Sequence, residues 1–504
     1  MVHPWSAHLP EPSDDWLPDE LAAGSLTAAW SRRWSEAPDR PVLWAEANGW
    51  VTRGELDRRT AAVAGHLRAL GVERGARVLL SAASSIELVL SHVGALRAGA
   101  IVVPVHTGYT ERELGHVLED AEPVLAILDE PGRISGIAPD LPVIAPGAGA
   151  DGEPADDLDT AAPDDPALLP YTSGTTGRPK GVVLRHGNLV AGAAAVVSAW
   201  RWTDDDRLVL CLPLFHMHGL GVGIHGTLLS GGSAVILPRF DPDLILDAAR
   251  DHDGTMFFGV PTMYSRLVEH DRVGELAGLR LCVSGSAPLP ADLHTALGER
   301  AGQRILERYG MTETVMNISN PFDGDRRPGS VGLPLPGVEA RIGGGADEGE
   351  IELRGPNVFS EYWGRPDATA EAFTDDGWFK TGDVGAQDPD GYWRIVGRSK
   401  ELIISGGFNV FPREVEDVLV DHPAVAEAAV AGTPDDEWGE VVTALLVLET
   451  GAELDDDDLA DHCADRLVNY KRPRLVHVVD ELPRNAMGKI VRPDVDAMAA
   501  DLAP

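Results

Sequence analysis

Three observations predict an α/β chain built in more than one unit. From about residue 77 to about residue 310, short apolar runs alternate with helical periods. After Gly349 the pattern turns to short alternating strands with Gly/Asp turns, which reads as a small antiparallel unit. Beyond Gly397-Arg398-Ser399-Lys400 lies a further stretch of about 100 residues, long enough for an α+β domain of its own. The expected architecture is a large N-terminal domain of α/β subdomains with a small antiparallel β unit, residues 1–399. A small C-terminal α+β domain, residues 400–504, follows it.

Residues 77–80 read as a strand, 85–97 as a helix and 100–105 as a strand, together a βαβ unit. Runs 208–214, 233–237, 255–260 and 279–284 are further strand candidates. Pro261 suits the first turn of a helix beginning at a strand's carboxyl end, where open α/β sheets bind ligands. Residues 146–166, rich in Gly, Ala, Asp and Pro, read as a loop. In the C-terminal piece, helices are expected near 412–420 and 457–467, with strands at 424–431, 441–448 and 475–479.

The 504 residues suffice for about three units with buried cores. A composition 44% hydrophobic and 24% charged is that of an ordinary globular chain, but the net charge of −38 is not. It argues against duplex nucleic acid or an anionic membrane as a main partner, since both are polyanions. Lysine is confined to Lys180, Lys380, Lys400, Lys471 and Lys489, so each is a candidate for work that arginine cannot do. Cys211, Cys282 and Cys463 lie far apart and form neither a disulfide framework nor a zinc pattern. They are expected to be buried small hydrophobes in a reducing compartment. The first residues lack the basic and apolar regions of a signal peptide, and the apolar stretch 86–105 is broken by Glu87, His92 and Arg97. A cytoplasmic location is expected.

The segment with the clearest chemistry runs from Tyr171 to Gly181. Thr172, Ser173, Gly174, Thr175, Thr176, Gly177 and Lys180 describe a loop whose backbone N–H groups, hydroxyls and one mobile cation can wrap a polyphosphate. It is not a Walker A loop, because Pro179 precedes Lys180 and Gly181 follows it. Further on, Tyr309-Gly310-Met311-Thr312-Glu313 follows a buried run. There an aromatic, a glycine and an acid suit adenine stacking, close backbone approach and a Mg²⁺-binding carboxylate. Asp383, after Lys380-Thr381-Gly382, either accepts from ribose hydroxyls or is a turn residue. Arg398 and Lys400, followed by Gly406-Gly407-Phe408, place charge and then a flexible loop where a hinge would need them. Lys489 sits in a loop of the C-terminal piece.

With these motifs in this order and spacing, the chain resembles, from about residue 25 onward, the adenylate-forming acyl-CoA synthetases, peptide-synthetase adenylation domains and luciferases. The resemblance implies ATP, Mg²⁺ and coenzyme A as cofactors and co-substrates. It implies that Thr172–Lys180 grips the ATP phosphates and that Tyr309, Gly310 and Thr312 line the nucleotide. Glu313 would hold Mg²⁺, and Asp383 would bind ribose with Arg398 beside it. Lys489 would reach the carboxylate and α-phosphate during adenylation. A rotation of the C-terminal domain about Lys400 would then present Gly406, Gly407 and Phe408 to coenzyme A.

Within the family, Phe215-His216-Met217-His218-Gly219-Leu220 and Gly259-Val-Pro-Thr-Met-Tyr264 resemble the malonyl-CoA synthetases, as does the block from Glu307 to Asn317. That likeness implies malonate or methylmalonate as the acid, in a pocket lined by His216, Met217, Arg266, Ser286 and Met316. Arg266 either meets a second carboxylate or pairs with a neighbouring acid on a helix surface. Met217 and Met316 are either pocket walls or core packing. Another short or aromatic acid, or transfer to an acyl carrier protein, are the alternatives. The −38 charge would repel an acidic carrier, so free coenzyme A is the expected acceptor.

Overall fold

The computed structural model describes residues 5, 8, 16–18, 24–172, 179–405, 408–435, 438–484 and 490–503. The chain forms two compact units. The first comprises residues 1–340, 353–379 and 388–393, and the second residues 341–352, 380–387 and 394–504.

Two large sheets organise the first unit. In one, six neighbouring strands run parallel: Leu306–Tyr309, Leu281–Ser284, Met256–Gly259, Arg207–Leu210, Ser233–Ile236 and Pro41–Ala45. Antiparallel strands Ile318–Ser319 and Leu333–Pro334 extend it on one side and Gly49–Thr52 on the other. The central strands are buried along their whole length, which is why they read as unbroken apolar runs rather than alternating ones. The run 208–214 is cut short. The strand ends at Leu210, ahead of Pro213, which has no N–H for a ladder, and the chain turns into a buried π-helical segment, His218–Ile224, and the helix His225–Ser230.

The second sheet is ordered Glu361–Tyr362, Lys180–Arg185, Pro166–Leu168, Ile101–Pro104, Arg77–Ser81, Leu125–Leu128 and Val143–Ile144. Tyr171–Thr172 pairs with Lys180–Arg185 in the register Tyr171↔Gly181 and Thr172↔Lys180. The expected βαβ unit is present as Arg77–Ser81, Ile86–Arg97 and Ile101–Pro104, and Ser85 caps its helix by accepting the Leu88 N–H. All three cysteines are buried and reduced. Among the described residues, no helix is long and apolar enough to cross a membrane.

In the second unit, a four-stranded sheet orders Glu339–Ile342, Glu348–Arg354, Phe379–Gln387 and Trp393–Arg398. After it, Phe408–Val410, Ile403–Ser405, Gly439–Leu448 and Val425–Asp435 form a sheet that Leu475–Val478 joins in parallel. Helices Pro412–Val420 and Asp456–Arg466 cover a core of Val415, Leu419, Val430, Val442, Leu446 and Leu459. Asp455 caps the second helix, accepting from the N–H groups of Asp457 and Asp458.

Candidate active site

Pairing of Thr172 with Lys180 brings the two ends of the phosphate-loop motif side by side; Ser173 to Arg178 lie outside the described residues. Lys180 Nζ stands 4.9 Å from the ring centroid of Tyr362. The Tyr362 hydroxyl donates to Glu313 Oε1 at 3.1 Å. Burial, and after it the Glu313 carboxylate, push the Tyr362 hydroxyl's pKa up, so it stays a donor. Two chain segments far apart in sequence thus place an ammonium and a carboxylate on one phenol. Glu313 is 6% exposed, and Phe359 N–H donates to its backbone carbonyl at 2.7 Å. Among the described residues no group of three or more His, Cys, Asp and Glu could hold a metal. A single carboxylate is the protein donor expected for Mg²⁺ that keeps waters and arrives with nucleotide phosphates, so Glu313 fits that role.

Tyr309 ends the strand Leu306–Tyr309 half-buried, with Gly310, Met311 and Thr312 following it into the same sheet's carboxyl edge. Gly310 has a steric reason to be glycine: a β-carbon there would stand 2.6 Å from the Val315 carbonyl oxygen. Val315 has φ +60°, a genuine outlier for a β-branched residue, and Met316 N–H donates across it to the Thr314 carbonyl at 2.6 Å. This is a strained γ-turn, of a kind that costs about 1–3 kcal/mol and persists only where its surroundings hold it.

Among the residues expected to line the acyl pocket, His216 and Ser286 are linked through His218. His216 is half-buried, and its Nδ1 accepts the His218 N–H at 3.3 Å. Met217 is buried, and a β-carbon at Gly221 would overlap its Cε. The His218 ring stacks on Phe258, 6.1 Å between centroids, and its Nδ1 lies 3.3 Å from Ser286 Oγ. Ser286 holds φ +69°, a second strained position at the site. Met316 is fully buried beside Gly310. Arg266 lies on the helix Pro261–Val268, whose buried row is Pro261, Tyr264, Leu267 and Val268. It points the other way and is exposed, and it makes no ion pair or hydrogen bond among the described residues. The structure therefore brings Met217, His218 and Ser286 together while leaving Arg266 free on its helix.

One residue beside Gly285 escaped the sequence reading. Arg308 is 5% exposed, and its Nε and Nη2 have no hydrogen-bond partner among the described residues. Strand pairing puts Arg308 opposite Ser319, whose Oγ accepts the Trp200 indole N–H at 2.9 Å; Trp200 in turn packs edge-on against Phe258, the ring under His218. Gly285, next to Ser286, lacks the β-carbon that would overlap the guanidinium. Burial without a carboxylate pulls the Arg308 pKa down to about 9, so it remains a cation at neutral pH. The signal was available as a charged pair, Glu307-Arg308, inside an otherwise apolar strand. Asn357 and Tyr362 are the other site-side residues that the spacing of motifs did not single out.

In the second unit, Asp383 is buried and Arg398 Nε meets its Oδ1 at 3.2 Å. The turn before it is set by Gly382, φ +74°, whose N–H donates to Glu350 Oε1 at 2.9 Å. Ser399 Oγ donates to the Gly382 carbonyl at 3.0 Å, and Lys400 follows in the exposed 3₁₀ turn Ser399–Glu401. Ser405 pairs with Phe408, which is 54% exposed and stacks on Tyr470 at 4.4 Å. Gly406, Gly407 and Lys489 lie outside the described residues; Arg484 and Ile490, on either side of Lys489, pair antiparallel.

Residues 30–363 match the AMP-binding enzyme family and residues 414–489 its C-terminal domain. The chain is similar to a crystal structure of ATP-bound MatB from Rhodopseudomonas palustris, with TM-score 0.89 and 40% identity over 94% of this chain and 99% of that one. It is 38% identical to a feruloyl-CoA synthase of Amycolatopsis sp, over 88% of this chain and 93% of the relative. It is 37% identical to a malonate–CoA ligase of Arabidopsis thaliana, over 83% of this chain and 77% of the relative. Relatives at similar identity are thus named for different acids. The chain belongs to the AMP-binding enzymes and is an AMP-forming acid–thiol ligase.

Proposed function

We propose that this ligase joins malonate, or its methyl-branched homologue methylmalonate, to coenzyme A through an acyl-adenylate. The observation that carries this reading is Arg308, a buried guanidinium with two unpartnered nitrogens beside Gly285 and Ser286. An unpaired buried cation costs several kcal/mol, and an acid with a second carboxylate offsets that cost where a monocarboxylate does not. Ser286 and His216 would be polar partners of the acid, with Met217 and Met316 as walls near the α-carbon, while Arg266, exposed on its helix, would add only screened, longer-range positive charge. Ferulate offers Arg308 no second carboxylate.

In the first half-reaction a carboxylate oxygen attacks the α-phosphorus of ATP, the α–β bridging bond breaks, and pyrophosphate leaves. Anion approaches anion, so Lys180, Lys489 and the Thr172–Lys180 loop supply positive charge and donors. Glu313 would hold a Mg²⁺, which would supply charge neutralisation on the phosphates. Tyr309, Gly310 and Thr312 hold the adenine side, and Asp383 with Arg398 the ribose. In the second half-reaction the coenzyme A sulfur, having lost its proton, attacks the acyl carbon, the bond to AMP breaks, and AMP leaves. Lys400 is the pivot that withdraws Lys489 and brings Gly406, Gly407 and Phe408 to the thiol.

Pyrophosphate release across malonate, methylmalonate, succinate, sulfoacetate, propionate and ferulate, each with free coenzyme A, tests the reading. Malonate or methylmalonate should exceed propionate by about 100-fold or more in kcat/KM. A preference for propionate or ferulate removes the dicarboxylate reading.

A further inference from the structure

One buried amide spans the strained turn between the nucleotide-side carboxylate and the acyl-side wall. Asn357, 2% exposed, directs its Nδ2 at three acceptors: the Thr314 carbonyl at 2.8 Å, the Met316 carbonyl at 2.9 Å and Asn317 Oδ1 at 3.1 Å. Those carbonyls flank Val315, the residue at φ +60°. A γ-turn at a β-branched residue is unfavourable by itself and persists only where its neighbours hold it. Helix His186–Ala199 provides the second restraint: a β-carbon at Gly192 would stand 2.9 Å from Val315 Cβ, so glycine there lets the valine seat. Downstream, Asn317 N–H donates to the Tyr309 carbonyl at 3.0 Å and Leu335 N–H to the Asn317 carbonyl at 2.8 Å. Glu313 therefore leaves the turn on one side and Met316 and Asn317 on the other, with Asn357 bonded to both sides.

We infer that Asn357 is a positioning residue, whose amide locks the Val315 turn so that Glu313 and the Met316–Asn317 wall keep one fixed spacing. The inference rests on the roles proposed above for Glu313 and Met316. Asn357 touches no reacting atom; it acts through the carbonyls. A bond donated to both sides of a turn couples them, so loosening it displaces the carboxylate and the wall together. Asn357 has a place cut for it: a β-carbon at Gly355 would stand 2.6 Å from its Oδ1.

The test uses the full-length enzyme and its Asn357→Ala and Asn357→Ser variants. Three quantities are read: kcat for pyrophosphate release with the acid the wild type prefers, the Mg²⁺ concentration giving half-maximal rate, and the kcat/KM ratio of that acid to propionate. In Asn357→Ala, kcat should fall by about 100-fold, as for a displacement of about 1 Å at a reacting centre. Half-saturating Mg²⁺ should rise and the acid ratio fall in the same variant. Asn357→Ser keeps one donor and should lie between wild type and alanine on all three; it also serves if the alanine variant fails to fold. A lower melting temperature with all three quantities unchanged makes Asn357 merely structural and overturns the inference. Movement of one side alone overturns the coupling. If wild type releases no pyrophosphate with any acid, the ligase chemistry itself is what falls, and this inference with it.

Discussion

Arg308 lies across the face of Gly285, so close that a β-carbon on the glycine would overlap the guanidinium. The pair seats a buried cation one residue from Ser286, and its two unpartnered nitrogens are what the receptor role proposed above rests on. A structural arginine and a receptor arginine respond oppositely to removal. Arg308→Met, which swaps the buried charge for an apolar chain of similar length, should leave the melting temperature unchanged or raise stability by about 1–4 kcal/mol. The same variant should lower kcat/KM for malonate by about two to three orders of magnitude while sparing propionate. Loss of stability with malonate and propionate falling in parallel would show that Arg308 only supports the fold.

Arg266 should matter less, because it is exposed on its helix. Arg266→Ala is expected to lower kcat/KM for malonate by about tenfold, an effect that shrinks as salt is raised because solvent and ions screen the pair. Kinetics at two ionic strengths measure this, and a salt-independent loss would point to a different role.

For Lys489 the two half-reactions separate. Lys489→Ala should suppress acyl-adenylate formation by orders of magnitude yet spare thioester formation from supplied malonyl-adenylate. Lys400→Pro, which fixes φ near −65°, should instead preserve one half-reaction at the expense of the other. Equal loss of both half-reactions in Lys489→Ala, or full overall turnover in Lys400→Pro, would refute the two-conformation scheme.

A pH prediction comes from the core of the first unit. His92 and His225 stack at 5.2 Å with Nε2 to Nε2 at 2.9 Å, and neither Nδ1 has a partner among the described residues. Burial holds His92 down at about 3 and His225 well below its usual value. The unfolded chain takes up protons below about pH 6.5 that the folded pair refuses, so stability falls as pH drops from there toward about 3. At pH 5 the loss from His92 is about 2 kcal/mol. Replacing both, as His92→Leu with His225→Phe, should flatten the decline in melting temperature between pH 7 and pH 5. An unchanged decline would place the acid sensitivity elsewhere.

Local chemistry made most elements legible before the structure. Pro261 marked the first turn of its helix, and the βαβ unit at 77–104 announced itself by length and apolarity. The run 208–214 misled because apolar residues continue past Leu210 into a π-helical segment that has no period of its own in the sequence. Arg308 was passed over because a charge in a strand reads as an exposed end, and only strand pairing shows which face it takes. Asn357 and Tyr362 were silent for a different reason: their partners at 313–317 lie about 40 residues or more away, a separation that periodicity cannot bridge.

The run 309–317 carries an aromatic proposed for the nucleotide, the Glu313 carboxylate, a strained valine and an acyl-side methionine without a break. Substitutions that reshape the methionine end act on a rigid lever whose other end is the carboxylate. Altering the preferred acid at Met316 should therefore tend to sacrifice turnover. The helix Pro261–Val268, with an exposed face that includes Arg266, makes no hydrogen bond to residues 309–317 among the described residues. Libraries aimed at new acids should therefore begin on that helix rather than at Met316.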